Sequence, residues 1–301
     1  MGRLNGKSIV VTGSGAGIGA GYARLAAAEG ATVVVCDINE AGVKEVVDEI
    51  TAAGGKALAR RVDVTDWSDA EALVDFCVEQ TGKIDGIINN AAIMHQAWAG
   101  EEPEDKFRRL IAVNVIGVAA TGNAAIRQMR RQGHGVVINI VSGAHFGMKY
   151  MAAYGASKGA VASLMYTWSL ENDDVPGIRV NAISPMGKSN INAGQEEFQV
   201  AGNANGGEGQ PDPNVNAPLA VYLLSDAAAH VKGQIVRIDG KSLALVAHPV
   251  VLDPVLTKAQ NWTIDEIEDA FTSTFNSRLV PTGLSALLKA EYVVPQGYKP
   301  Y

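Results

Sequence analysis

Short runs rich in β-branched residues alternate along this chain with longer, alanine-rich stretches, and that alternation limits the folds open to it. Ser8–Thr12, Thr32–Cys36, Gly86–Asn89, Val136–Val141 and Ile178–Ile183 each have strand length, and Gln234–Ile238 supplies a last strand. Between them lie segments such as Gly19–Glu29 and Ala41–Ala52, whose apolar spacing is helical. Strand–helix–strand repetition predicts parallel strands with crossover helices on both faces of the sheet. The strand runs are continuously apolar rather than alternating, as strands covered on both faces should be.

Composition removes several function classes. With 47% hydrophobic and 19% charged residues among 301, the chain can bury a large core and is not disordered overall. A net charge of −7 without a long basic block disfavours nucleic acid and anionic membranes as partners. Cys36 and Cys77 form no CxxC pair and read as small buried hydrophobes, so no metal site is expected. Residues 1–13 hold no signal-peptide core, no apolar run reaches membrane length, and Gly6 stands where a myristoylation signal needs Ser or Thr. A cytoplasmic protein is the expectation.

The first strand runs into Gly13-Ser14-Gly15-Ala16-Gly17-Ile18-Gly19 and then a helix. Glycines there permit a tight turn and close approach of backbone to phosphate, while a helix N-terminus offers unpaired N–H groups to the negative charge. Asp37 ends the second strand, 18 residues beyond Gly19. It is either an ordinary strand-end acid or the carboxylate that accepts both ribose hydroxyls of NAD and repels the 2′-phosphate of NADP. Neither the glycine loop nor Ile38 brings a cation, which favours NAD.

Tyr154 and Lys158 are four apart on a helix that follows the strand ending near Val141, so both address one site. A neighbouring ammonium favours phenolate, which lets Tyr154 take the proton of an alcohol as its hydride leaves. Ser142 falls at the carboxyl end of the preceding strand, where open α/β sheets bind ligands. Asn114 lies on the apolar stripe of its own helix and is either a structural amide or part of a proton relay.

These residues resemble the short-chain dehydrogenase/reductase family in its NAD-preferring form. The matches are Thr12-Gly13-x-x-x-Gly17-Ile18-Gly19, Asp63-Val64, Asn89-Asn90-Ala91, Asn114, Ser142, Tyr154-x-x-x-Lys158 and Ile178-Arg179-Val180-Asn181-Ala182-Ile183-Ser184-Pro185, in family order over roughly residues 4–240. The resemblance implies an α/β, Rossmann-type doubly wound parallel sheet of about seven strands with helices on both faces. It also implies a tetrad of Asn114, Ser142, Tyr154 and Lys158. In it the Ser binds substrate oxygen, the Tyr exchanges the proton, and the Lys also holds the nicotinamide ribose. Cofactor contacts are expected at Gly13, Ser14, Gly17, Ile18, Gly19, Asp37, Ile38, Asp63, Val64, Asn89, Ala91, Tyr154, Lys158, Pro185, Met186 and Ser189. Two positions depart from the pattern: Ala92 replaces a glycine, and Met186 follows Pro185 where the family has Gly. The segment Pro213–Asp226, followed by Gly233-Gln234, is similar to a subgroup that includes hydroxyacyl-CoA and hydroxysteroid dehydrogenases. That points to a bulky, lipophilic secondary alcohol, with His95, Trp98, His145, Met148, Tyr150 and Met151 as pocket candidates.

Two regions break the alternation. Residues 190–214, rich in Gly, Asn and Pro, read as a substrate loop, with a tolerated surface insertion as the alternative. A C-terminal extension, 241–301, follows a domain of 1–240. Within it Thr263 and Glu266 form a capping box, and Ile264, Ile267, Phe271 and Phe275 form a stripe expected to be buried on the same domain or on a neighbouring subunit. An apolar stripe of Ala160, Leu164 and Trp168 beside the Tyr154 site makes a homodimer or homotetramer plausible. The leading expectation is an NAD-dependent dehydrogenase. The alternatives are an NADH-linked ketoreductase and a non-catalytic NAD-binding regulatory or scaffold protein.

Overall fold

The computed structural model describes residues 2–186, 211–249 and 251–279. The chain divides between Val246 and Ala247 into two compact units. The first holds one sheet of eight strands: β1 (Ser8–Thr12), β2 (Thr32–Asp37), β3 (Lys56–Arg61), β4 (Gly86–Asn89), β5 (Gly135–Ile140), β6 (Ile178–Pro185), β7 (Ile235–Ile238) and β8 (Leu243–Val246). Their order is β3-β2-β1-β4-β5-β6-β7-β8. All neighbours are parallel except β7 and β8, which pair antiparallel with Ile235 opposite Val246. The chain therefore reverses between β1 and β4, and the ligand crevice of a doubly wound sheet opens at that reversal, past the carboxyl ends of the strands.

Helices α1 (Gly17–Ala28), α2 (Glu40–Ala52) and α7 (Ala217–Leu224) bury Ala23, Val46 and Leu223 in a core with Val11, Val33 and Ile138 of one sheet face. On the other face α3 (Trp67–Thr81), α5 (Gly117–Gln132) and α6 (Ala152–Glu171) bury Leu73, Ala125 and Met165 against Val10, Val137 and Val180. Alternate residues of each strand thus enter opposite cores, which is why the strand runs are apolar throughout. Helix α4 (Glu104–Ile111) continues through a π-turn at Ala112–Ile116 into α5. By length and composition this continuous helix could cross a membrane, yet 61% of its most apolar stretch is buried in the fold.

Two strands lie outside the sequence expectation. β3 reads KALARR, and its charges suit an edge strand whose outer side meets water. β8 comes from the region assigned to the extension, so the sheet does not end at β7 and the first unit runs past Gly240. Trp168, expected on an oligomer face, is instead buried over Gly122 of α5, where an added Cβ would lie 2.4 Å from its ring.

In the second unit, α8 (Ile264–Ala270) starts at the expected capping box: Thr263 Oγ1 accepts from the Glu266 amide at 3.4 Å and the Glu266 carboxylate accepts from Thr263 N at 2.8 Å. Lys258 pairs with the same carboxylate. Within this unit Ile264 is 83% exposed and Phe271 44%.

Candidate active site

The nucleotide half begins where β1 ends. Gly13 has φ +64°, and an added Cβ would sit 2.7 Å from Ala91 Cα, so both conformation and space require glycine. At Gly19 a Cβ would meet the Gly13 carbonyl oxygen at 2.3 Å. Asn90 locks this turn to the end of β4, its Nδ2 donating to the carbonyls of Thr12 (3.0 Å) and Gly13 (2.9 Å). Thr12 Oγ1 returns the link by accepting from the amides of Asn90 and Ala91. Helix α1 then starts without a side-chain cap and without an acidic residue in its first turn. Among the described residues no side chain caps its first N–H groups, and an added Cβ at Gly17 would meet nothing within 4 Å, an arrangement suited to a pyrophosphate. Asp37 completes this half. Its Oδ2 accepts from Gly15 N at 3.2 Å and Oδ1 from Asn39 N at 3.0 Å. One lone pair per oxygen is left for ribose hydroxyls, and Ile38 beside it is 50% exposed.

Other expected contacts are placed differently. Ser14 is fully buried; its hydroxyl donates to Val11 O at 2.6 Å and accepts from Cys36 N at 3.0 Å, stitching β1 to β2. Asn89 is also buried, its Nδ2 donating to Asn139 Oδ1 (2.9 Å) and its Oδ1 accepting from Thr121 Oγ1 (2.8 Å). Neither side chain faces the crevice. The Asp63 carboxylate accepts from the Thr65 hydroxyl (2.7 Å) and amide (3.0 Å), which hold it below the usual carboxylate range. Val64 packs over Gly117, where a Cβ would come within 2.7 Å of it.

The catalytic half gathers at the carboxyl end of β5. Ser142 follows that strand and accepts from Ala144 N at 3.2 Å; its hydroxyl lies close enough to the Tyr154 phenol to oppose, in small part, the effect of burial there. Tyr154 sits in the first turn of α6, and Lys158 lies one turn on, its Nζ 5.5 Å from the Tyr154 ring centre and donating to Ile140 O at 2.8 Å. Burial pushes the phenol up to about 12 and the ammonium down to about 8. The sequence expectation was that the ammonium would pull the phenol down. Desolvation wins at both groups, and the ammonium is turned toward a carbonyl.

Asn114 occupies the π-turn between α4 and α5, a geometry frequent at functional sites. Its amide is satisfied: Nδ2 donates to Ile93 O (2.9 Å) and Ser157 Oγ (3.1 Å), and Oδ1 accepts from Ile93 N (2.8 Å). It ties the 92–100 loop to α6 rather than bonding Lys158 directly.

Of the pocket candidates, Trp98 and Tyr150 meet edge-on, with centres 4.6 Å apart and an interplanar angle of 89°. Ala97 N donates to Tyr150 O at 2.9 Å, and Tyr150 holds φ +65°. The loops flanking the crevice are thereby sewn together. His95 bonds Glu102; His145 bonds the Ser142 carbonyl through Nδ1, and burial lowers its pKa. Met148 is half-buried, and Met151 is buried at the start of α6.

At the end of β6, Pro185 leads to Met186, whose amide donates to Ile238 O (2.8 Å) and whose carbonyl accepts from Asn216 Nδ2 (3.0 Å). Its sulfur accepts from Arg237 Nη2 at 2.9 Å. Ser189 lies outside the described residues. The sequence reading missed Arg237 and Glu102. For Arg237 a signal existed, a lone charge inside the apolar run Ile235–Ile238.

Comparison with known proteins bears on this site. Residues 7–197 match the family model for short chain dehydrogenase. The chain is 36% identical over 249 residues to the 7alpha-hydroxysteroid dehydrogenase of Escherichia coli (strain K12), covering 79% of this chain and 94% of that protein. It is 35% identical over 242 residues to the cyclohexanol dehydrogenase of Acinetobacter sp. (strain SE19), covering 79% and 95%. A crystal structure of a short chain dehydrogenase from Mycobacterium avium superposes with a TM-score of 0.81 at 30% identity, covering 94% of this chain and 98% of that one.

Proposed function

Since this chain belongs to the short-chain dehydrogenase family, we propose that it is an NAD-dependent dehydrogenase of a bulky, lipophilic, ring-bearing secondary alcohol. The observation that carries this reading is the placement of Tyr154 in the first turn of α6 with the Lys158 ammonium one turn on, 5.5 Å from its ring centre and held by Ile140 O at the carboxyl end of β5, where Ser142 follows. Bound nicotinamide supplies the hydride acceptor. Ser142 holds the carbinol oxygen, and Tyr154 takes the hydroxyl proton as the carbinol C–H bond gives up its electron pair. Lys158, freed from Ile140 O, donates to the ribose and stabilises the phenolate. Gly13, Gly17, Gly19 and the α1 N-terminus hold the pyrophosphate, and Asp37 selects NAD over NADP. The Trp98–Tyr150 edge supplies an apolar wall, in keeping with relatives named for a steroid alcohol and cyclohexanol. A homodimer or homotetramer in the cytoplasm belongs to the same proposal and is read out by light scattering.

The same groups serve the reverse direction. A phenol held at about 12 is protonated at neutral pH and ready to act as the acid in ketone reduction. Nicotinamide absorbance measured with NAD and NADP against cyclic alcohols and their ketones decides between the readings. Turnover with NAD, lost by about 10² or more in Tyr154→Phe with NAD affinity held, is expected. Tight NAD binding with no turnover of any compound would instead make the protein a dinucleotide-binding regulator.

A further inference from the structure

We propose that Arg237 recognises an anionic group of the substrate, so that the alcohol this enzyme takes is a ring-bearing carbinol carrying a carboxylate. The inference deepens the proposed dehydrogenase reading and rests on it for the carbinol half. Arg237 lies on β7 opposite Ser184 of β6. Its neighbour two residues back, Ile235, enters the core under α5 and α6, so Arg237 projects from the α6 face of the sheet, where Tyr154 and Lys158 lie. It is near the carboxyl end of its strand, the end that binds ligands in such sheets. β5, whose Ile140 carbonyl holds Lys158, is two strands away; at ~4.8 Å per strand the two positions are about 10 Å apart. That is the breadth of one or two rings between a carbinol and its carboxylate.

The donors of this guanidinium are spent on weak partners. Nη2 reaches the Met186 sulfur at 2.9 Å and Nη1 the Ser184 hydroxyl at 3.4 Å. Both are neutral, and thioether sulfur is a weak acceptor. Among the described residues Arg237 forms no ion pair within 4.0 Å. Asp239, two residues on, lies within electrostatic reach of Arg237 without closing an ion pair, and its Oδ1 accepts from the amides of Lys241 (2.9 Å) and Ser242 (2.7 Å). A guanidinium offers a planar fork that fits a carboxylate two-pronged, and such charge-assisted bonds are about twice as strong as neutral ones. A half-buried Arg held by a sulfur and a hydroxyl can exchange both for a carboxylate at little cost. Met186, which stands where the family has glycine, then acts as a gate: its sulfur parks the guanidinium when no anion is present.

Two measurements test this. The first compares kcat/KM for a hydroxycyclohexanecarboxylate and its methyl ester. The wild type should favour the acid at least tenfold, and Arg237→Met should shrink that ratio about tenfold, with Arg237→Lys between. A wild type indifferent to the charge, or equal losses on acid and ester, overturns the proposal. The second measures calorimetric binding of cyclohexanecarboxylate against cyclohexanecarboxamide to the NAD-saturated protein and needs no turnover. Preferential binding of the acid that Arg237→Met abolishes supports the anion site even if no carbinol is oxidised, which would sink only the dehydrogenase reading. Equal binding of acid and amide, or binding unaltered in Arg237→Met, overturns the anion site while leaving the dehydrogenase reading to the absorbance assay.

Discussion

Lys158 and Tyr154 shift in opposite directions from one cause, the loss of water around the charged form of each. The consequence for stability has a sign that can be worked out. Lys158 titrates near 8 in the fold and 10.5 in the open chain, so between those values the unfolded state binds more protons and stability rises with pH. Below pH 8 the full penalty of a buried ammonium applies, on the order of 3 kcal/mol at most. Tyr154 acts oppositely above pH 10, where the unfolded phenol ionises first and its contribution falls. Burial raises the Cys36 and Cys77 thiols as well, and these lose stability in the same window, so the test is a difference: the urea midpoint of the dinucleotide-free protein relative to that of Lys158→Met should climb from pH 8 to 10, and a constant difference would place the titration elsewhere. Asp37 tests the other half. Asp37→Ala should weaken NAD binding about tenfold and bring NAD and NADP affinities closer, checked by fluorescence titration with both. The positions of these groups were legible from spacing, because strand ends and helical turns fix where a Cα lies. Which way a polar side chain turns was not. Ser14 and Asn89 stand in the expected turns, yet each is drawn inward to satisfy backbone or a buried amide in a region without water.

Among elements, the glycine turn separates fold from function. Gly13 and Gly17 both have positive φ, but only Gly13 is also pressed, against Ala91, while Gly17 faces open space. Gly13→Ala should cost about 3 kcal/mol from left-handed strain plus overpacking. Gly17→Ala should cost about 1 kcal/mol but put a methyl where the pyrophosphate would lie, lowering NAD affinity tenfold or more. Urea melts should show Gly13→Ala as the more destabilised of the two, and NAD titration should show Gly17→Ala losing affinity while nearly as stable as the wild type; an unchanged NAD affinity in Gly17→Ala would remove its phosphate role. The turn was readable because few sequences but glycine fit it. β3 was missed for a related reason: as an edge strand it carries Lys56, Arg60 and Arg61, and its charges mask the period that identifies buried strands. The π-turn at Asn114 was invisible too, since one extra residue in a helix leaves the apolar stripe nearly intact.

For the whole molecule, the sheet's last edge decides where the first unit can be cut. The end of the last expected strand suggested a boundary at residue 240, after which the chain loses its strand–helix rhythm. The fold instead turns there, with Gly240 at φ +88° under Val215, and sends β8 back along β7. Val246 joins the core beneath α5 and α6, while Leu243 and Leu245, 66% and 69% exposed, line the other side of the strand. A chain ending at Val246 keeps the β7 ladder paired and Val246 packed. One ending at Gly240 strips those bonds and bares β7, a four-residue edge with three apolar side chains, open to pairing with other chains. The loss of a few net hydrogen bonds, at about 1 kcal/mol each, and of one partly buried valine amounts to about 3 kcal/mol. Urea denaturation of the two truncated chains should show the longer one more stable by about that amount, and light scattering should show only the shorter one aggregating at equal concentration. Equal midpoints would mean that β8 contributes nothing to the sheet's stability and that the edge of the fold lies at β7 after all.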